Sequence, residues 1–418
     1  MNTYPEDTQQ RNAHSLLSPH FRQSPYHVYS SLRAHNPVFW SEEIQAWLIT
    51  RYDDVVSCLR DERISANRII PRIKQFPSAF QAEFAPLLKV LSMWPLMLDR
   101  PEHTRLRTLI NKAMVPGVIT SFIPQIEKQA GELLDAALPG DTIDIIQSLA
   151  LPFPLNVVSG IIGVREEDRS QLKAFAVDIV NFFGCPPAEY IERARTAMRA
   201  VKDTSAILRS IIAQRRIKPE KDLISSLIRA EENGDILSED EIIATCLMMV
   251  FAGFETTTNL IGNGLLLLLQ HPEQLQKLRE TPALMPAAIR EMLRFESPVQ
   301  RLSRMAVEDF TLHGSQIRKG DLIFLIAASA NRDENKFSHP DVFDITRDGR
   351  NHLAFGHSIH LCPGNNLAQL EAQILFDALL KRAPHITLTD PVPEWQKNLS
   401  VRSLVSLPVK LNQRGEQS

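Results

Sequence analysis

From Glu239 to Leu269 the chain runs through a helical-period stretch that is apolar on nearly every face. A helix of that kind belongs in a core, and the rest of the fold has to wrap around it. Ser238 followed by Glu241 has the form of a capping box and marks its start. In its middle stand Ala252-Gly253-Phe254-Glu255-Thr256-Thr257. Glycine and β-branched threonines are poor helix formers, and a glutamate in apolar surroundings is costly to bury. Local rule-breaking of this sort tends to mark function. Gly253 removes bulk so that a ligand can lie against the helix, and threonine hydroxyls bonded back to carbonyls can open a groove. The segment alone suits equally a polar notch turned to solvent. Its apolar runs, Ile242–Phe254 and Leu260–Leu269, are separated by Glu255-Thr256-Thr257-Thr258-Asn259, so neither reads as a membrane span.

Elsewhere the periodicity predicts helices over Ile123–Leu138, Pro154–Ile162, Arg169–Phe183, Ala188–Arg215 and Leu223–Ala230. Pro37–Trp40 and Ala46–Thr50 read as a β-hairpin, and strand-like runs return at Leu302–Ala306, Asp321–Ala327, Ile386–Leu388 and Leu404–Leu411. The expected fold is mainly α with small β-sheets near both ends, in one domain over residues 24–412. A polar N-terminal tail at 1–23 and a short C-terminal tail at 413–418 flank it. With 44% hydrophobic and 23% charged residues the chain is neither disordered nor fibrous, and a net charge of −3 gives no case for nucleic acid. Met1 to Gln23 holds no apolar signal-peptide core. Cys58, Cys185, Cys246 and Cys362 are scattered without metal-finger spacing, which suits a reducing, cytoplasmic setting.

Cys362 lies in Phe355-Gly356-His357-Ser358-Ile359-His360-Leu361-Cys362-Pro363-Gly364, a loop expected to enter a helix at Pro363 and continue through Leu367 and Ala368. Backbone N–H groups and the positive end of the helix dipole would converge on the sulfur and favour thiolate, a soft ligand suited to iron. The bland alternative is a buried free cysteine.

Phe355, Gly356, His360, Cys362 and Gly364 resemble the haem-ligand loop of the cytochromes P-450, soluble bacterial class. The resemblance implies haem b between the long central helix and the cysteine-loop helix, with Cys362 as axial thiolate and metal ligand. Two departures stand out. Ser358 occupies a position that is usually glycine in the family, and would be strained if φ there is positive. Pro363 lacks an N–H, which removes one possible donor to the sulfur and implies a more electron-donating thiolate.

The resemblance assigns further residues. Ala252 and Gly253 would flank the haem, Thr256 would be the hydroxyl donor in proton delivery, and Glu255 the carboxylate feeding it. Glu291-Met292-Leu293-Arg294 puts opposite charges on one helix face; alone such a pair is weak, but with Arg347 it matches the family's buried triad. His103, Arg107, Arg304 and His360 match the positions that grip the haem carboxylates. Phe76, Phe80, Phe84, Leu87 and Leu91 recur at helical spacing and are either a roof over the substrate pocket or plain core. Val299, Leu302 and the segment Val177–Phe183 are pocket candidates by position. The implied activity is a monooxygenase using O2 and two electrons from a ferredoxin or flavodoxin with its NAD(P)H-dependent reductase. It would hydroxylate or epoxidise a largely hydrophobic small molecule such as a polyketide, terpenoid or peptide scaffold. The alternatives are a peroxide-driven haem-thiolate hydroxylase, a non-catalytic haem-bearing recruitment module, and a metal protein built on His357, His360 and Cys362.

Overall fold

The central helix, Glu239–Gln270, begins as its sequence predicts: the Glu241 N–H donates to Ser238 Oγ, and the Ser238 N–H donates to Glu241 Oε2 at 2.8 Å. In this computed structural model, residues 15–113, 120–232 and 237–411 are described. Among them this is the one helix long and apolar enough to cross a membrane, and 67% of its apolar window is buried by the protein itself. Pro152–Ile162, Arg169–Gly184, Met285–Phe295 and Asn365–Arg382 pack around it. Gly262 and Gly264 allow close approach, because a Cβ there would fall 2.5 Å from Ile146 Cδ1 and 2.7 Å from Met292 Sδ respectively.

A five-stranded sheet lies beside this helical core, ordered Val38–Ser41, Ala46–Ile49, Leu322–Leu325, Leu302–Ala306, Ile64–Ser65. The hairpin forms with Phe39 opposite Leu48. Its second strand then pairs in parallel with Leu322–Leu325, Leu48 opposite Phe324, which ties the two ends of the chain together. Antiparallel pairing sets Arg304 opposite Ile323. Leu302 and Arg304 therefore share one sheet face. A smaller sheet runs Thr142–Asp144, Pro408–Leu411, Ile386–Leu388.

Three expectations about extent change. The run Asp321–Ala327 is strand only over Leu322–Leu325, after which Ala327–Ala330 turns helical, as alanine-rich sequence favours. Leu404–Leu411 pairs in the sheet only from Pro408, while Leu404 makes an isolated bridge to Trp395. The expected tail at 1–23 is too long: Pro19–Gln23 is a helix capped by Ser18, Leu16 is 5% exposed, and its N–H donates to Glu43 Oε2 at 2.7 Å. An apolar residue with a carboxylate to hold its amide is anchored despite its polar neighbours. Residues 1–14 and the expected tail at 413–418 lie outside the described residues.

Candidate active site

A cavity of about 370 Å³ lies between the middle of the central helix and the cysteine loop. Ala252, Gly253, Thr256 and Thr257 form one wall; Phe355, Gly356, His360, Cys362, Pro363 and Gly364 form another. A Cβ on Gly253 would meet only Val158, at 3.6 Å, so the glycine leaves a flat face toward the open space.

The loop under Cys362 turns through two left-handed residues, Gly356 (φ 74°) and Ser358 (φ 59°). Glycine carries no penalty there, whereas serine does. The Cys362 N–H donates to the Phe355 carbonyl at 2.9 Å, and Arg107 donates to the Leu361 carbonyl. The helix starts at Asn365 with Gly364 as its cap, so Pro363 stands before the helix and not at its first position. The Gly364 N–H reaches the sulfur. Burial nonetheless pushes the Cys362 thiol up, with the Gly364 N–H and the Arg107 charge pulling the other way. The expected bias toward thiolate does not come from the protein alone; a coordinated metal cation would supply it.

His103, Arg107, Arg304 and His360 meet at the cavity wall. The His103 and His360 rings are edge to face at 4.6 Å. His360 is pushed down to about 3, mainly by burial, then by Arg304, His103, Arg68 and Arg107. Burial lowers Arg304 to about 10. His103 is 3% exposed, and its Nε2 has no hydrogen-bond partner. Among the described residues neither Arg107 nor Arg304 has an ion-pair partner. Buried cations and an orphaned imidazole nitrogen call for anions. A soft sulfur, a glycine-faced helix and this cationic shelf fit haem b with its two carboxylates.

Thr256 faces the cavity, with its Oγ1–H bonded to the Ala252 carbonyl at 2.7 Å. Glu255 is buried off the cavity wall and accepts from Ser403 Oγ at 3.2 Å. Burial raises its carboxyl, partly opposed by Ser403 and Asn259. The two residues are adjacent in sequence but point in different directions, about 100° apart on the helix.

Glu291 and Arg294 are fully buried and doubly bonded, and Arg347 Nε lies 3.3 Å from Glu291 Oε1. Arg294 also donates to the carbonyls of Asn331 and Pro340, and Arg347 to that of Ser338. Asn331 Oδ1 in turn accepts from the Leu353 N–H at the base of the cysteine loop. The three charges thus brace the support beneath the loop.

Pocket expectations divide. Val299 and Leu302 line the cavity. Phe80, Phe84 and Leu87 do not: Phe80 and Phe84 stack at 6.4 Å, Phe84 and Leu87 are core, and their helix packs on Tyr190–Ile217. Leu91 is likewise buried core, and Phe76 stacks on Tyr190. Val177 is 36% exposed on the outer side of its helix; Val180, Phe182 and Phe183 take the inner side. Helical period permits either face, and only the neighbouring helix selects one. The metal-protein alternative loses its geometry, since Arg60 bonds His357 Nε2 and among the described residues no group of three or more His, Cys, Asp or Glu side chains is placed to hold a metal ion. Glu371 went unnoticed in the sequence. It lines the cavity, 3% exposed with Oε2 unpartnered, and its signal was a carboxylate on the apolar row Leu367, Leu375, Leu379.

Residues 39–281 and 283–411 match the family model described as Cytochrome P450. The "Polyketide biosynthesis cytochrome P450 PksS" of Bacillus subtilis (strain 168) is 39% identical over 410 residues, covering 95% of this chain and 99% of its own length. The "Biotin biosynthesis cytochrome P450" of the same organism is 37% identical, covering 95% and 98%. A crystal structure of P450BioI in complex with a hexadec-9Z-enoic acid ligated acyl carrier protein superimposes with a TM-score of 0.86 at 36% identity, covering 94% of this chain and 99% of that one. The match runs over nearly the whole of this chain and of these relatives: the chain belongs to the cytochrome P450 family, whose members are haem-thiolate oxidoreductases.

Proposed function

We propose that this protein is a haem b monooxygenase that takes two electrons from a ferredoxin or flavodoxin and its reductase, and hydroxylates or epoxidises a largely hydrophobic small molecule. The observation that carries this reading is a cavity in which Cys362 stands opposite Gly253 and Thr256 beneath largely apolar walls. Bound haem would supply oxygen activation and insertion; the chain does the rest. Cys362 would hold the metal, and the Gly364 N–H tempers the charge on its sulfur. His103, Arg107, Arg304 and His360 would hold the haem carboxylates. Thr256 keeps a hydroxyl proton at the cavity wall, and Glu255 behind it is the carboxyl that replenishes it through Ser403 or water. Val299, Leu302, Phe182 and Val158 keep water from the substrate. The relatives' names point to a polyketide-like or acyl substrate. Reduction under carbon monoxide after haem-replete expression is the test: a thiolate-type band supports the reading, and a colourless or imidazole-type product overturns it.

A further inference from the structure

Three more arginines, Arg68, Arg72 and Arg301, line this same cavity, and among the described residues none has an ion-pair partner. Each is held instead by a ring or a carbonyl. The Arg301 guanidinium lies 3.8 Å from the Phe324 ring centroid, with Nε donating to Ser400 Oγ. Arg72 lies 4.7 Å over Tyr190. Arg68 bonds the Ala66 and Leu96 carbonyls and lies 5.8 Å over Phe183. Aromatic faces and carbonyls orient a guanidinium without neutralising it. Burial accordingly lowers Arg68 to about 9 and Arg301 to about 10. A second, independent feature is the Tyr190 hydroxyl: Tyr190 is 8% exposed, lines the cavity, and its oxygen has no partner. Arg68 and Arg72 both lie within electrostatic reach of it, and Arg301 within reach of Arg68.

A buried hydroxyl without a partner is costly and rare, and guanidiniums held only by rings, a hydroxyl or carbonyls keep their full charge beside it. A ligand that accepts hydrogen bonds, carries negative charge and is attached to something apolar complements this corner, since Ile69, Ile161, Val180 and Phe182 also line the cavity. A planar carboxylate matches a guanidinium fork. We propose that the substrate is an amphipathic carboxylate, an alkyl or polyketide acid, whose headgroup is held by Arg72, Arg301 and the Tyr190 hydroxyl while its apolar chain extends toward Thr256. Arg68, within reach of both Arg301 and Arg304, completes the positive field. This assignment rests on the monooxygenase reading of the cavity.

The test uses haem-loaded enzyme whose carbon-monoxide band is already established, so failure of the monooxygenase reading would be seen first. Dodecanoate, dodecanol and methyl dodecanoate are titrated at neutral pH, and the Soret shift is followed. Dodecanoate is expected to bind at least tenfold more tightly than either neutral analogue. Arg301→Gln and Arg72→Gln are each expected to erase most of that preference while keeping the haem band and the affinity for dodecanol. Arg301→Lys should retain part of it. Tyr190→Phe, which keeps the ring, should weaken dodecanoate severalfold and serves if Arg301→Gln fails to fold. Equal affinities for acid and alcohol, or a preference that survives the glutamine variants, would overturn the proposal. So would loss of haem from those variants, which would assign the arginines to the haem carboxylates instead.

Discussion

Arg294 and Glu291 meet fork to fork, with Nε 2.7 Å from Oε2 and Nη2 2.8 Å from Oε1, and neither side chain touches solvent. The Asp344 N–H and Arg347 share the same carboxylate. Removing the acid would leave a buried guanidinium with carbonyl partners but no counter-charge. Glu291→Ala should therefore cost about 3–5 kcal/mol. Because Arg294 also braces Asn331, and Asn331 the Leu353 amide, the variant should purify with little haem, read as the ratio of Soret to protein absorbance. A fully loaded, equally stable variant would contradict the bracing role.

Ser358 holds φ at 59° where a Cβ clashes with the backbone. The left-handed conformation costs a non-glycine residue about 1–2 kcal/mol. Glycine has no such cost but loses about 0.5–1 kcal/mol more in freedom on folding. Ser358→Gly should thus stabilise the protein by roughly 0.5–1 kcal/mol, seen as a higher denaturation midpoint. Destabilisation would show that the Ser358 hydroxyl holds the loop in some other way.

Glu371 is buried without a charge partner, and burial raises its carboxyl well above the ordinary 4.5. The folded chain therefore keeps this proton at pH values where the unfolded chain has lost it. Stability from this group is present below the unfolded value and falls as pH rises toward the folded one. Glu371→Gln, neutral throughout, should be the more stable protein at neutral pH. Its advantage should grow by at most about 1.4 kcal/mol per pH unit. Thermal melts of both proteins between about pH 5 and pH 8 would check this, and parallel curves would exclude it.

Thr256 offers the hydroxyl at the cavity wall of the central helix, already tethered to the Ala252 carbonyl. Thr256→Ala should leave the carbon-monoxide band intact while product per NAD(P)H falls roughly 10-fold or more and peroxide rises. Unchanged coupling would remove this threonine from proton delivery. Glu255→Gln, whose carboxyl sits behind the wall, should give the smaller defect of the two if Ser403 or water can bypass it.

Much of the architecture was legible because it follows rules that act within a few residues. The capping box at Ser238 and Glu241 and the hairpin over Pro37–Trp40 and Ala46–Thr50 are local geometry, and both appear; the fork of Glu291 with Arg294, implied by the family resemblance, forms as well. The place of Ser358 in the loop implies strain if φ is positive, and its φ is positive. Sidedness was harder to read. Val177 and Val180 are one helical turn apart, yet one faces out and the other lines the cavity. Phe84 obeys the amphipathic pattern but spends it on a neighbouring helix.

The amino-acid order by itself determined the core helix, the cysteine loop and the family, since periodicity, turn chemistry and motif spacing are carried by neighbours along the chain. Only the tertiary structure decided that Arg68, Arg72, Arg301 and Tyr190 share one cavity, that Glu255 turns away from it, and that burial outweighs the Gly364 amide at Cys362. Desolvation and electrostatic field depend on which distant segments close over a group, and no local rule encodes that closure.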